Sequence, residues 1–311
     1  MPRVAATRFT YLGPEATFAE QALRTLPGTR TGVLTPSASV PDALDSVRGG
    51  ASDAALVPLE NSVEGSVSVT LDELANGEPL AIIREVLLPV SFVLLARPGT
   101  RLAHVGTVAS HPHGEAQCRG WLRGNLPNAS VHSALSTSEG AAAVARGEYD
   151  AALAAPLAAS RHHLDVLAED VHDTDGAITR FVLLTRPGRP PERTGNDRTS
   201  VVVFIADNHT GALLEVLTEF AVRGIDLTRI ESRPTKQQLG RYCFYLDCAG
   251  HVADARVGEA LAALRRICAD VRFLGSYPRA DDDLPAQRPG TSDDDFAGAA
   301  DWLAGLRNPP R

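Results

Sequence analysis

Apolar positions along the chain follow two alternating rhythms. Short unbroken apolar runs at Phe9–Leu12, Asp53–Val57, Val105–Ala109, Asp150–Leu153 and Phe181–Leu184 read as buried strands. Between them apolar residues share one helical face: Phe18, Ala22, Leu23 and Leu26; then Val40, Leu44 and Val47; then Ala116, Trp121 and Leu122; then Ala142, Ala143 and Val144. Each group predicts a helix packed on a neighbouring strand. Pro14, after Gly13, suits a first helical position, where its missing N–H is not needed. Ser39 and Ser136 read as N-caps, and Asp42 complements the dipole of its helix from the first turn.

The pattern also repeats. Asp150-Ala-Ala-Leu153 echoes Asp53-Ala-Ala-Leu56, and each strand runs into a proline, Pro156 and Pro58. Two similar α/β halves explain the echo; chance similarity between alanine-rich segments is the alternative. Facing halves would place a cleft at the carboxyl ends of their strands. Helix starts after Gly13 and after Ser110 would then point N–H groups into it, which suits a small dicarboxylate.

Residues 186–197 are rich in proline and glycine with no apolar period, and they mark a boundary after a first domain at 7–185. Residues 198–278 then read βαββαβ. The strands are Ser200–Ala206, Ile225–Ser232, Tyr242–Cys248 and Val271–Leu274, and the helices are carried by Leu213, Val216, Leu217 and Phe220 and by Val257, Leu261, Leu264 and Cys268. This is a ferredoxin-like plait. Residues 279–311 are acidic, with scattered proline and glycine, and read as a disordered tail with room for a brief helix at Asp301–Leu306.

Composition narrows the function classes. A net charge of −8 over 311 residues argues against a nucleic-acid partner. No apolar stretch approaches membrane-span length, and the first residues lack the apolar run of a signal peptide, so a cytoplasmic protein is expected. Cys118, Cys243, Cys248 and Cys268 form no C-x-x-C pair, which fits reduced structural thiols. His111 and His113 are spaced like a metal pair but lack a companion ligand set, so no metal is expected, and a helix start lining the cleft suits them better.

The candidate chemistry centres on Asp175-Gly-Ala-Ile-Thr-Arg-Phe181, where a polar loop runs into an apolar strand. Such junctions present functional groups on a rigid frame. The bland reading is a strand start with Thr179 for its β-propensity and Arg180 solvated. Asn61 and Ser62 end a strand at the cleft, where they either bond a substrate or only form a turn.

Together these stretches resemble the monofunctional prephenate dehydratase family over about residues 7–278. The resemblance rests on Gly13-Pro14 with Thr17-Phe18, on Val57-Pro-Leu-Glu-Asn-Ser-Val-Glu-Gly65, on Ser110-His-Pro112 with Gln117-Cys118, and on Thr179-Arg-Phe181. Residues 198–278 resemble an ACT regulatory domain through Gly211-Ala-Leu213 and Glu231-Ser-Arg-Pro234.

The resemblance implies an α/β, two-lobed catalytic domain like type II periplasmic binding proteins, followed by the ACT domain. It implies decarboxylating dehydration of prephenate to phenylpyruvate without a cofactor, feedback by L-phenylalanine, and a homodimer or homotetramer. It points to Thr179 as proton donor and to Arg180, Phe181, Asn61, Ser62, Glu64, Ser110, His111 and Gln117 around the substrate. Arg180 would clamp a carboxylate or lock the loop by pairing with an acid such as Glu64, and Glu64 would orient Arg180, join the lobes or act as general acid. Gly211, Ala212, Leu213, Glu231, Ser232, Arg233 and Pro234 would take the effector. The sequence departs from the family at Ala16, commonly Gly, at His113, commonly Gln, and at Ala177, commonly Asn. The competing classes are a non-catalytic two-lobed receptor, a transcriptional regulator and an inactive dehydratase.

Overall fold

A computed structural model describes residues 6–206, 209–236, 241–281, 283 and 288–308. The acidic-tail expectation at 282, 284–287 and 309–311 lies outside the described residues. The chain divides into two compact units, residues 1–73 with 86–186, and residues 74–85 with 187–311.

The first unit holds two lobes. Lobe one contains β1 (Arg8–Leu12), α1 (Phe18–Arg24), β2 (Val33–Ser37), α2 (Val40–Arg48), β3 (Ala54–Asn61), β4 (Gly65–Ser66), the start of α3 (Ser68–Asn76) and the end of β5 (Ala81–Pro89). Lobe two contains β6 (Val93–Ala96), β7 (Thr107–Ser110), α4 (Pro112–Gln117), α5 (Arg119–Asn125), β8 (Ser130–Ser133), α6 (Thr137–Ala145), β9 (Ala151–Ala154), α7 (Leu157–His162) and β10 (Asp165–Ala168). The chain then returns to lobe one as β11 (Ile178–Thr185).

The sheet orders are β2-β1-β3-β11-β5, with β4 on β3, and β10-β6-β9-β7-β8. Reversed, the second order matches the first. In each sheet a parallel trio is joined by one antiparallel strand from across the lobe crossover, β11 on β3 and β6 on β9. This is the two-lobed type II periplasmic-binding-protein arrangement.

The sequence echo has a physical basis. The Asp53 carboxylate accepts the Arg8 N–H at 2.8 Å, and Asp150 accepts the N–H groups of Gly106 and Thr107 at 3.0 and 2.9 Å. Each aspartate thus satisfies the first donor of the neighbouring strand. The Arg8 side chain holds the Asp53 carboxyl at about 2, and Thr107 holds that of Asp150 below its usual range. The strands that follow, β3 and β9, are buried on both faces, so they read as unbroken apolar runs.

On one face of the second sheet Phe92, Leu94, Val108 and Leu153 form a core; on the other, Leu95, Ala109 and Ala152 meet Ala141 and Val144 of α6. Burying each such leucine contributes roughly 1.5–3 kcal/mol. Two helix expectations shift. α1 begins at Phe18 with Thr17 as cap, so Pro14 lies in the turn before it. The single helix expected around Ala116 and Trp121 is two, broken at Cys118.

The second unit contains β12 (Asp197–Phe204), α8 (Ala212–Ala221), β13 (Leu227–Pro234), β14 (Tyr242–Ala249), α9 (Ala255–Ile267) and β15 (Asp270–Pro278), with sheet order β13-β14-β12-β15. All pairs are antiparallel, as a βαββαβ plait requires. One face packs on α8 and α9 through Val201, Val203, Leu246, Phe220 and Leu264.

The same unit takes residues 74–85, so the expected boundary at 185 does not separate two contiguous pieces. Arg272 donates to the carbonyls of Leu74 and Gly77 at 3.2 and 2.6 Å, and Gly275, at φ 146°, has no room for a Cβ beside the Ile82 backbone. Arg198 pairs with buried Glu85 at 2.6 Å, and Ala280 N–H donates to the other Glu85 oxygen at 3.0 Å. Arg279 and Asp281 extend this cluster at 2.7 Å. The acidic tail is therefore ordered at its start, and it also contains α10 (Asp293–Arg307), longer than the brief helix expected.

Candidate active site

The first unit encloses a cavity of ≈ 670 Å³. Its wall combines the end of β3 and the start of β11 with the starts of α1, α3, α4 and α6. Thr179, Phe181, Asn61, Glu64, His111 and Gln117 all line it. Arg180, Ser62 and Ser110 do not.

Strand geometry explains the division. A register shift falls between Arg180 and Phe181, and Thr179 and Phe181 both face the cavity. Arg180 is buried, in register with Glu60, and does not reach the cavity wall. The Ser62 hydroxyl accepts the Ile178 N–H at 3.0 Å, and Ser62 N–H donates back to the Ile178 carbonyl at 2.9 Å, which fixes the β3–β11 junction. Ser110 is fully buried and donates to the His111 carbonyl at 3.1 Å, and a Cβ at Gly114 would sit 2.7 Å from its hydroxyl oxygen.

Asn61 sets the polarity of the site. Its Oδ1 accepts the N–H groups of Val63 and Glu64, each at 2.9 Å. That fixes which end of the amide faces outward. Nδ2 then donates to Thr179 Oγ1 at 2.8 Å. With its oxygen accepting from Asn61, the Thr179 hydroxyl keeps its own proton to donate.

His111 is oriented by the same logic. Its Nδ1 accepts the His113 N–H at 3.3 Å and caps α4, so the ring proton sits on Nε2. Burial, with the neighbouring His113, lowers its pKa and so favours the neutral ring. Glu64 meets Gln117 Nε2 at 3.3 Å and His113 Nδ1 at 3.6 Å. Glu64 stands on lobe one and both partners on α4 of lobe two, so Glu64 makes the lobe contact.

Among the described residues no Lys or Arg lines the cavity; Glu64, His111 and His113 are its titratable groups. β4 brings Ser66 into the wall, and the starts of α3 and α6, each nine residues long, bring Ser68, Ser136 and Thr137. Phe18 and Phe92, stacked edge to face at 5.2 Å, and Val69, Val90 and Phe181 form an apolar side. Sequence reasoning missed the Ser66–Val69 and Phe92 walls. Thr17 was legible as a cap, because Thr17-Phe-Ala-Glu20 is a capping-box pattern. Among the described residues no group of three or more His, Cys, Asp or Glu is placed to hold a metal ion.

The second unit has its own cavity of ≈ 610 Å³. Gly211, Ala212 and Leu213 line it at the start of α8, with Phe204, Tyr242, Phe244, Arg241, Asp270 and Arg272. Gly211 stands at the N-cap of α8 with φ 93°, and having no side chain it gives the helix start no side-chain cap. Glu231, Ser232, Arg233 and Pro234 lie on edge strand β13 and do not line the cavity; Glu231 pairs with Arg229 at 2.5 Å.

The family model for prephenate dehydratase matches residues 9–189, and the model for the ACT domain matches residues 200–266. A prephenate dehydratase of Amycolatopsis methanolica is 52% identical over 97% of this chain and 98% of its own length. A crystal structure of prephenate dehydratase from Arthrobacter aurescens in complex with L-Phe is similar at a TM-score of 0.92 and 49% identity, covering 96% of this chain and 99% of that one. GqqA, described as a quorum-quenching acylase, is similar at a TM-score of 0.79 and 26% identity, covering 88% of this chain and 98% of its own.

Proposed function

The chain belongs to the prephenate dehydratase family, and from that premise we propose that it converts prephenate to phenylpyruvate, CO₂ and water on the route to L-phenylalanine. The observation that carries the reading is the Asn61–Thr179 pair, which turns a threonine hydroxyl into a directed donor. As the C–C bond to the ring carboxylate breaks, its electron pair enters the ring and the ring hydroxyl departs. Thr179 hydrogen-bonds the leaving oxygen as charge develops there; that oxygen takes a proton relayed from solvent through the Thr179 hydroxyl and leaves as water. Proton donation of this kind is typically worth ~10²–10⁴-fold.

The substrate brings two carboxylates into a cavity lined, among the described residues, by no Lys or Arg. Backbone N–H groups at the starts of α3 and α6, with the Ser66, Ser68, Ser136 and Thr137 hydroxyls, supply donors for the pyruvyl carboxylate. The ring carboxylate fits the apolar side. Its charge vanishes as CO₂ leaves, so a poorly solvating wall favours the transition state over the ground state. Metal and cofactor have no role in this reading.

An acylase reading, by likeness to GqqA, meets an obstacle at Thr179. An activated nucleophile passes its proton to a base, whereas the Thr179 oxygen receives one from the Asn61 amide.

We further infer that L-phenylalanine binds the second-unit cavity and lowers turnover. Free amino acids carry both charges; Arg241, Arg272 and Asp270 offer both complements, and Leu213, Tyr242 and Phe244 offer an apolar surface. The effector must bind one conformation better than the other, and a coupling of ~1–3 kcal/mol changes affinity ~5–150-fold.

Incubating the purified chain with prephenate, with and without phenylalanine, tests both parts. The expected result is phenylpyruvate formation that phenylalanine slows. No phenylpyruvate would overturn the catalytic reading. Undiminished turnover, with no heat of binding in calorimetry, would overturn the regulatory one.

A further inference from the structure

The helix α10 stands out for how little of it is packed. Its first turn is anchored with specificity. Ser292 and Asp295 form a reciprocal capping box, and Asp293 accepts the Ala255 N–H at 2.9 Å while pairing with Arg193 at 2.6 Å. Beyond that turn no residue of α10 is buried among the described residues. Trp302 is 68% exposed and Leu306 59%.

The apolar side chains, half-buried at Phe296 and exposed from Ala299 on, are not scattered. Phe296, Ala299, Ala300, Trp302, Leu303 and Leu306 fall on one side of the helix, and Asp294, Gly298, Asp301 and Gly305 on the other. A helix of this length is marginal without packing, and each of its two glycines costs up to ~1 kcal/mol relative to alanine. The apolar stripe therefore calls for a partner surface.

We propose that this stripe is an interface with a second copy of the same chain, formed by two α10 helices pairing antiparallel about a two-fold axis. Charge and shape both select that arrangement. Asp293, Asp294 and Asp295 open the helix and Arg307 closes it. A parallel pair would stack the aspartates on one another. The antiparallel pair sets Asp295 against the partner's Arg307.

In the same register Phe296 meets the partner's Leu306, Ala299 meets the partner's Leu303, and Ala300 meets the partner's Trp302. Small faces large at the centre, which lets the axes approach. The contact is isologous and closes on itself, so it yields a discrete assembly rather than a fibre. Each helix is about 22 Å long at 1.5 Å per residue, so the pair adds one association step to whatever other contacts the full chain makes.

Sedimentation velocity of the full chain, with acrylamide quenching of tryptophan, tests the proposal. The native chain is expected to shield Trp302. Leu303→Asp should expose Trp302 and lower the assembly by one step, with turnover and the circular dichroism melt reporting that the rest is folded. Arg307→Asp should weaken association and Arg307→Lys should largely keep it, and neither touches the capping box at Ser292 and Asp295. Three results would overturn the pairing: Trp302 as open to quenching in the assembled native chain as in Leu303→Asp; an assembly unchanged by Leu303→Asp; or an assembly unchanged by Arg307→Asp. Shielding of Trp302 that arises only on adding anionic lipid vesicles would also overturn it and assign the stripe to a membrane surface.

Discussion

The cavity around Thr179 and the cavity at the start of α8 are close in size, ≈ 670 and ≈ 610 Å³, yet their walls treat charge differently. The first has no Lys or Arg among the described residues and offers hydroxyls, amides, helix starts and the imidazoles of His111 and His113, with Glu64 as its carboxylate. The second offers Arg241, Arg272 and Asp270 beside Leu213, Tyr242 and Phe244. Fixed full charges suit a ligand that must be held unchanged. A reacting dianion loses charge and shifts it to a leaving oxygen, and a guanidinium gripping the ring carboxylate would stabilise the state that has to be left. Oriented dipoles that strengthen only as charge develops avoid that cost.

The largest expected effect breaks the donor itself. Thr179→Val keeps the shape of the side chain and removes its hydroxyl, and turnover should fall ~10²-fold or more, with the Michaelis constant little changed. Thr179→Ser should keep most activity. Near-normal turnover in the valine variant would remove Thr179 from the chemistry.

Asn61→Asp sharpens the same point with almost no change in volume. One carboxylate oxygen can still accept the Val63 and Glu64 N–H groups, but the other accepts the Thr179 proton instead of donating to its oxygen. The donor is then turned away from the substrate. We expect a loss of ~10²-fold, carried by turnover, plus weaker binding from the added negative charge. An Asn61→Asp enzyme as fast as the native one would show that the direction of this hydrogen bond is irrelevant.

In the charged cavity the expected change is smaller. Ala212 is buried at the start of α8, and Ala212→Leu fills space beside Leu213. Phenylalanine should bind ~10-fold more weakly, about 1.4 kcal/mol, by calorimetry. Unaltered affinity would move the effector elsewhere. Cutting the chain near Arg186 is a poor substitute. Residues 74–85 would remain without their unit, and Glu85 would lose Arg198 and the Ala280 N–H. Stranding a buried charge costs several kcal/mol.

The parts of this picture that the sequence disclosed are those governed by local rules. The Asp53 and Asp150 echo marked matching positions in two sheets because each aspartate serves a neighbouring strand within hydrogen-bond reach. The caps Ser39 and Ser136 were legible for the same reason. So was the departure at Ala16. It adopts φ 63°, fully buried, with its N–H held by Glu20 at 2.6 Å, and a glycine would adopt that conformation without the Cβ penalty.

What depended on register or long-range packing was hidden. The expectation of Arg180 at the substrate overlooked strand alternation: Thr179 and Phe181 share one face of β11 and Arg180 takes the other, while the extra residue of the register shift, Leu59, lies on β3. β2, β5 and β6 drew no strand expectation, although Asn76-Gly77 before β5 and Pro98-Gly99 after β6 are turn signals that could have marked them. The membership of residues 74–85 rests on Arg198, Arg272 and Gly275, each more than a hundred residues away. The resemblance to known dehydratases named Gln117 and Glu64 but not their partnership, which exists only once the lobes face each other.

The smallest expected effect concerns His113, where the family commonly has Gln. His111 must stay neutral, because its Nδ1 accepts the His113 N–H. Its pKa is lowered first by burial and next by the charge of His113, while Glu64 raises it. Below the ordinary histidine pKa the unfolded chain therefore binds a proton that the folded one does not. Stability attributable to His111 is present above that pKa and declines as pH falls from there toward the lowered folded value. Turnover should show an acid limb at the lowered value, where the α4 cap breaks. His113→Gln removes the repulsion and leaves the burial, so the acid limb should move to higher pH, toward the ordinary histidine value. Glutamine has an amide N–H of its own to offer Glu64, so turnover at pH 8 should change less than twofold. A pH–rate profile of the two proteins decides the matter: an acid limb that stays put, or moves to lower pH, would show that protonation of His111 does not limit activity.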